Sequence, residues 1–154
     1  MSEYYAQIDW NRNAAEDFVD NKYSRAHTWS FDGGVEVSAS SSPHVVPTPY
    51  SVEANVDPEE AFVAALSSCH MLWFLYLAAE KKCIVNSYSD KAVGLMAKNS
   101  EGKLAMTEVT LRPIVTFGGD SEPSKEQVNE LHHIAHEKCF IANSVKTNIK
   151  VESA

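Results

Sequence analysis

Arginine occurs only three times in the 154 residues, as Arg12, Arg25 and Arg112, and cysteine only as Cys69, Cys83 and Cys139. Three cysteines cannot close a paired disulfide framework, so each needs its own explanation. Basic residues are outnumbered 13 to 21 by acidic ones, and the net charge of -8 argues against nonspecific binding to nucleic acid or to an anionic membrane. Met1 to Asp20 lacks an apolar stretch long enough for a secretory leader, so a cytoplasmic location is expected. Nothing repeats, no segment is low in complexity, and the length fits a single domain over residues 1–154.

Charge is missing altogether from Ala61 to Ala79. This run lies inside DPEEAFVAALSSCHMLWFLYLAAEKK, from Asp57 to Lys82, and the rest of the chain is organised around it. Asp57 caps a helix, Pro58 suits the first helical position, and Glu60 completes a capping box. Lys81 and Lys82 stand where the helix dipole favours cations. A continuous helix here is ~37 Å long and, being apolar nearly all round, is expected to be buried on most faces. Ser67, Ser68, Cys69 and His70 at its centre are costly in lipid, which favours a core helix over a membrane span.

Glu3 to Trp10 reads as a strand, Asn11 to Asn21 as a polar loop or helical turn, and Tyr23 to Phe31 and Val35 to Ala39 as strands joined by the turn Asp32-Gly33-Gly34. Ser40 to Ser51 is a Pro- and Ser-rich connection. After the helix, Ile84 to Lys98 and Leu104 to Phe117 read as two long strands, with a bulge near Asp90 and an edge or a bulge signalled by Pro113. A turn at Gly118 to Glu122 leads to a second capping box, Ser124 with Gln127, opening a helix to about Lys138. Val128, Leu131, Ala135 and Cys139 mark its inward face, and Thr147 to Glu152 closes the chain as a strand. The fold class is α+β, with antiparallel sheets packed around a long buried central helix. Such a helix is hard to cover from one small chain, which points to a dimer.

A free thiol is only a few per cent thiolate at pH 7, and burial in apolar surroundings protonates it further. Cys69 lies beyond the first turn of its helix, out of reach of the N-terminal dipole. A reactive Cys69 therefore needs a cation brought from elsewhere, and an arginine in that role needs a carboxylate partner. Glu59 is ten residues before Cys69, ~15 Å along a helix, so carboxylate and thiol meet more readily across two copies of the helix. The alternative is that the cysteines are inert, small buried hydrophobes.

Asp57-Pro58-Glu59-Glu60 followed by Cys69, together with CFIANSVKTNIKV beginning at Cys139, resembles the OsmC/Ohr family of thiol-dependent peroxidases. The element order also matches, over nearly the whole chain. The resemblance implies an intertwined homodimer with active sites at the subunit interface. It makes Cys69 the peroxidatic cysteine, Cys139 the resolving cysteine that closes a disulfide, and Glu59 the family's glutamate. Arg25 best matches the family's arginine, with Arg12 as the other candidate. The implied substrate is an organic hydroperoxide and the implied reductant a dithiol such as a dihydrolipoamide protein, with no metal or flavin. Leu66, Leu72 and Trp73, three or four residues from Cys69, are the expected apolar substrate wall. The alternative function is a non-catalytic OsmC-like protein holding a small apolar or thiol ligand in the dimer-interface pocket.

Phe140, where many family members have proline, and His70, where an apolar residue is typical, depart from the family pattern. His70 is expected to be buried and hydrogen-bonded. His132, His133 and His136 are expected on the solvated shoulder of their helix, not as a metal site. Trp73, Phe74 and Tyr76 are expected to serve the core first and the substrate wall second, and Cys83 is expected to be structural.

Overall fold

A computed structural model of the protein describes residues 1–120 and 122–154, so only part of the turn expected at Gly118 to Glu122 lies among the described residues. The chain forms two compact units, Met1–Ala61 and Phe62–Ala154.

In the first unit, β1 (Ala6–Asp9), β2 (His27–Phe31) and β3 (Glu36–Ala39) form an antiparallel sheet in the order β1-β2-β3. Gly34, at φ 87°, makes the expected β2–β3 turn, with its N–H donating to the Phe31 carbonyl at 2.9 Å. The connection after β3 is tied back onto the sheet. Ser40 N–H donates to Val56 O at 3.0 Å, Val56 N–H to Ser38 O at 3.1 Å, and the Ser40 hydroxyl accepts from Val52 N–H at 2.9 Å.

The central helix α1 (Pro58–Glu80) starts where its caps require: Glu60 N–H donates to Asp57 Oδ1 at 2.8 Å, and Glu60 Oε2 accepts from Asp57 N–H at 3.3 Å. By length and composition alone α1 is long and apolar enough to cross a membrane, a test that a core helix also passes. It is not buried on most faces, contrary to the sequence expectation. Leu66, His70, Phe74 and Ala78 form one fully buried stripe, whereas Leu72 is 60% and Tyr76 56% exposed.

The two long strands are each broken in the middle. β4 (Ile84–Asp90) pairs with β7 (Pro113–Gly118), and β5 (Val93–Lys98) pairs with β6 (Leu104–Leu111) in a different sheet. Asp90 makes the corner: its Oδ1 accepts from Arg112 N–H at 2.6 Å and its Oδ2 from the Ser67 hydroxyl of α1 at 2.5 Å. Pro113 has no N–H to give to a continuing ladder. The closing strand β8 (Asn148–Val151) joins β6 in parallel, so this sheet is mixed. Gly94 of β5 is required by close approach, because a Cβ there would collide with Val63 of α1 and Met106 of β6.

The second helix, α2 (Lys125–Lys138), opens with the expected capping box of Ser124 and Gln127. Its Leu131 and Ala135 pack with Phe74 and Ala78 of α1, and Tyr88, Val115 and Phe117 close this core from β4 and β7. A second core joins Leu66 of α1 to Val109 and Leu111 of β6. Cys83 lies at the edge of the first core, in keeping with a structural part.

Candidate active site

Both expected redox cysteines lie in the second unit and are free thiols. Cys69 is half-buried in mid-α1. Cys139 is the C-cap of α2 and is only 1% exposed. Its thiol accepts from Ala142 N–H at 3.4 Å, and its carbonyl accepts from Asn143 N–H at 3.0 Å. Asn143 Nδ2 donates to Glu137 O at 3.0 Å and the Ser144 hydroxyl to Phe140 O at 2.7 Å, so the segment after Cys139 is held against the helix end. Burial first, and then hydrogen bonding with the Cys69 thiol, push Cys139 up to about 11. Cys69 is thus among the groups that act on Cys139, although the two stand 70 residues apart in sequence.

Beside Cys69 is a cavity of about 640 Å³ lined by Leu72, Trp73, Tyr76, Phe140 and Ile141. Its size falls in the range of small-molecule sites, roughly 300–1,000 Å³. Trp73 is the hub: Tyr76 and Phe140 stand edge-on to it at 5.8 and 5.4 Å, and Lys138 Nζ is 5.5 Å from its ring centre. Leu66 does not belong to this wall. It is 1% exposed and packs on Val109 and Leu111. Leu66 and Leu72 lie on opposite shoulders of Cys69, about 60° to either side at 100° per residue, and only the Leu72 shoulder faces the cavity. Tyr76 takes the second of its two expected roles, lining the cavity, while Phe74 is fully buried as expected.

The first unit has its own cavity, of about 460 Å³, lined by Arg25 and Glu59 with Trp10, Phe18 and Tyr23 among others. The three aromatic rings pack with centres 4.7 to 5.9 Å apart. Sequence reasoning missed this cluster because Phe18 sits in the polar stretch read as a loop. The Arg25 guanidinium lies 3.7 Å above the Tyr23 ring, and its Nη1 donates to Asn21 O at 2.7 Å and to Tyr23 O. Arg25 and Glu59 share a cavity but do not form the expected ion pair among the described residues. Backbone carbonyls take the guanidinium instead. Arg12 is exposed, donates to Asn13 O and Glu16 O at 3.3 and 2.6 Å, and does not line the cavity.

His70 is buried and hydrogen-bonded as expected, but its partner is His132, at 3.0 Å between His70 Nε2 and His132 Nδ1. His132 is therefore not on the solvated shoulder; it is 4% exposed. Its place one turn after Val128 and two turns before Cys139, both on the inward stripe, was the available signal. Among the described residues no group of three His, Cys, Asp or Glu side chains is arranged to hold a metal.

Two free thiols, one of them lining an apolar cavity, lie on an α+β frame. A family model described as OsmC-like protein matches residues 52–154, and the chain belongs to the OsmC family. The match takes in Glu59, Cys69 and Cys139 but not Arg25. An OsmC-like protein of unknown function from Vibrio cholerae is 60% identical, with a TM-score of 0.99 and full coverage of both chains. The fold is shared with an organic hydroperoxide resistance protein from Elizabethkingia anophelis, at 17% identity and TM-score 0.67, covering 99% of this chain and 95% of that one. It is also shared with an organic hydroperoxide resistance protein OsmC from Legionella pneumophila, at 16% identity and TM-score 0.67, covering 99% and 97%. A comparison with curated proteins finds no match.

Proposed function

We propose that the protein is a thiol-dependent peroxidase that reduces organic hydroperoxides. The observation that carries this reading is the free Cys69 thiol on an apolar cavity whose wall includes Phe140 and Ile141, the residues directly after Cys139. The Cys69 thiolate attacks one peroxide oxygen, the O–O bond breaks, and the alkoxide leaves and takes a proton to become the alcohol. Cys69 is now a sulfenic acid. The Cys139 sulfur attacks the Cys69 sulfur, hydroxide leaves with the Cys139 proton as water, and a disulfide closes. A dithiol such as a dihydrolipoamide protein returns both sulfurs to thiols and becomes a disulfide itself. A wall of Leu72, Trp73 and Phe140 favours an organic group over hydrogen peroxide.

The same proposal includes a homodimer. Leu72 and Tyr76 form an exposed apolar stripe of a kind that a second copy covers. Arg25 and Glu59 then serve Cys69 across two copies of the chain, as the family resemblance implies. Sedimentation tests this: the wild-type protein runs as a dimer and Tyr76→Lys shifts it toward monomer, whereas a monomeric wild type would contradict it.

Steady-state consumption of cumene hydroperoxide with a dihydrolipoamide reductant tests the activity. Cys69→Ser should reduce it to the uncatalysed rate. A wild-type protein no faster than that variant would refute the proposal. The second reading, a non-catalytic protein binding an apolar or thiol ligand, is favoured by Arg25, whose guanidinium is committed to backbone carbonyls. A ligand held in the cavity with no peroxide turnover would support it.

A further inference from the structure

His70 and His132 are not used by the chemistry above, yet they are the two buried imidazoles of the second unit. Their rings are nearly parallel, 7° apart in plane and 5.3 Å between centres, and Phe74 stacks on His132 at 4.3 Å. His70 follows Cys69 directly on α1. His132 precedes Cys139 by seven residues on α2, two turns along one stripe. The bond between them thus links the two helices that carry the two thiols. Phe74, Ala78, Leu131 and Ala135 pack in the same core, where apolar contact is non-directional.

The pair is costly as a packing element. His70 Nδ1 and His132 Nε2 are buried with no hydrogen-bond partner among the described residues. Two apolar side chains of the same size would leave no orphaned nitrogen. Burial holds both rings neutral, each lowered to about 4. One nitrogen therefore donates and the other accepts, and the bond has a direction and a length that an apolar pair would lack.

We propose that the His70–His132 hydrogen bond sets the approach of Cys139 to Cys69, making both histidines positioning residues for disulfide closure. This rests on the thiol-pair reading, but closure can be driven without a peroxide. Diamide withdraws two electrons from the paired thiols and becomes the hydrazine, so it reports on the same geometry.

The test uses the difference between the bonding atoms. Asparagine reaches as far from its Cα as His132 Nδ1, and glutamine as far as His70 Nε2. Closure is followed by quenched-flow counting of free thiols in the full-length protein, with cumene hydroperoxide and with diamide. His132→Asn and His70→Gln should close within ~3-fold of wild type, and His132→Gln and His70→Asn ~10–100-fold more slowly, since small misplacements of reacting atoms cost that much. A merely structural role would not reverse the order of Asn and Gln between the two positions. The same order at both, or wild-type closure in all four, overturns the proposal. Circular dichroism identifies a variant that fails to fold, and the pair at the other position then decides. If diamide gives the reversed order while cumene hydroperoxide closes nothing even in wild type, the positioning stands and the peroxidase reading fails.

Discussion

The two sides of α1 are nearly equal in hydrophobicity and opposite in fate. Leu66, His70, Phe74 and Ala78 are buried against the sheets and α2, while Ala65, Ser68, Leu72 and Tyr76 face outward. At 100° per residue the buried stripe centres about 120° to one side of Cys69 and the open stripe about 60° to the other. Cys69 sits on the boundary. One side of its turn is fixed by the core, and the other opens on the cavity.

The comparison breaks most visibly at Phe74. Phe74→Ala should cost ~3–5 kcal/mol in urea unfolding, the usual loss for a buried ring. A loss below ~1 kcal/mol would mean that the core is not where the structure places it.

Acid comes next. His70 and His132 are lowered to about 4 from 6.5, chiefly by burial. Between these values the unfolded chain binds protons that the folded chain refuses. Stability is therefore full above pH 6.5 and is lost as pH falls toward 4, by up to ~3 kcal/mol per histidine. Urea midpoints from pH 8 to 4 measure this, and replacing the pair with apolar residues should flatten the slope. A slope unchanged by that replacement would assign the acid sensitivity elsewhere.

A smaller effect lies on the boundary itself. Cys139 is pushed up to about 11, so its thiolate fraction grows ~10-fold per pH unit below that value. Disulfide closure should accelerate with pH across the neutral and mildly alkaline range, while a plateau below pH 8 would show that Cys139 is less shielded than its burial implies. The smallest stability effect belongs to the open stripe. Leu72→Ala should change unfolding of the single chain by less than ~1 kcal/mol, yet raise KM for a bulky hydroperoxide several-fold. A bulky hydroperoxide with unchanged KM would remove Leu72 from the substrate wall.

Local signals made much of the fold legible. Both capping boxes, the turn at Gly34, and the i, i+3, i+7 stripe ending at Cys139 depend on neighbouring residues alone. The irregularity near Asp90 was also visible, but it was read as a bulge where the strand breaks between two sheets. Whether a strand continues in the same sheet depends on a distant partner, here Arg112 and Ser67, which the local pattern does not contain. The same limit explains Leu66. Spacing places it beside Cys69 as firmly as Leu72, and only the position of β6 decides which shoulder is core. His132 was misplaced because histidine was read as polar, although its spacing put it on the inward stripe. The thiol pair was named from a resemblance; the structure adds that Cys69 lines a cavity and that Cys139 is buried at the end of α2. Arg25 was placed with Glu59, and they do share a cavity, but the ion pair between them is replaced by bonds to Asn21 and Tyr23.

The most direct test of the central claim is peptide mapping by mass spectrometry after one equivalent of cumene hydroperoxide. The account predicts a rapid Cys69–Cys139 disulfide within one chain, with Cys83 still free. Three unchanged thiols, or oxidation of Cys69 with no link to Cys139, would contradict it.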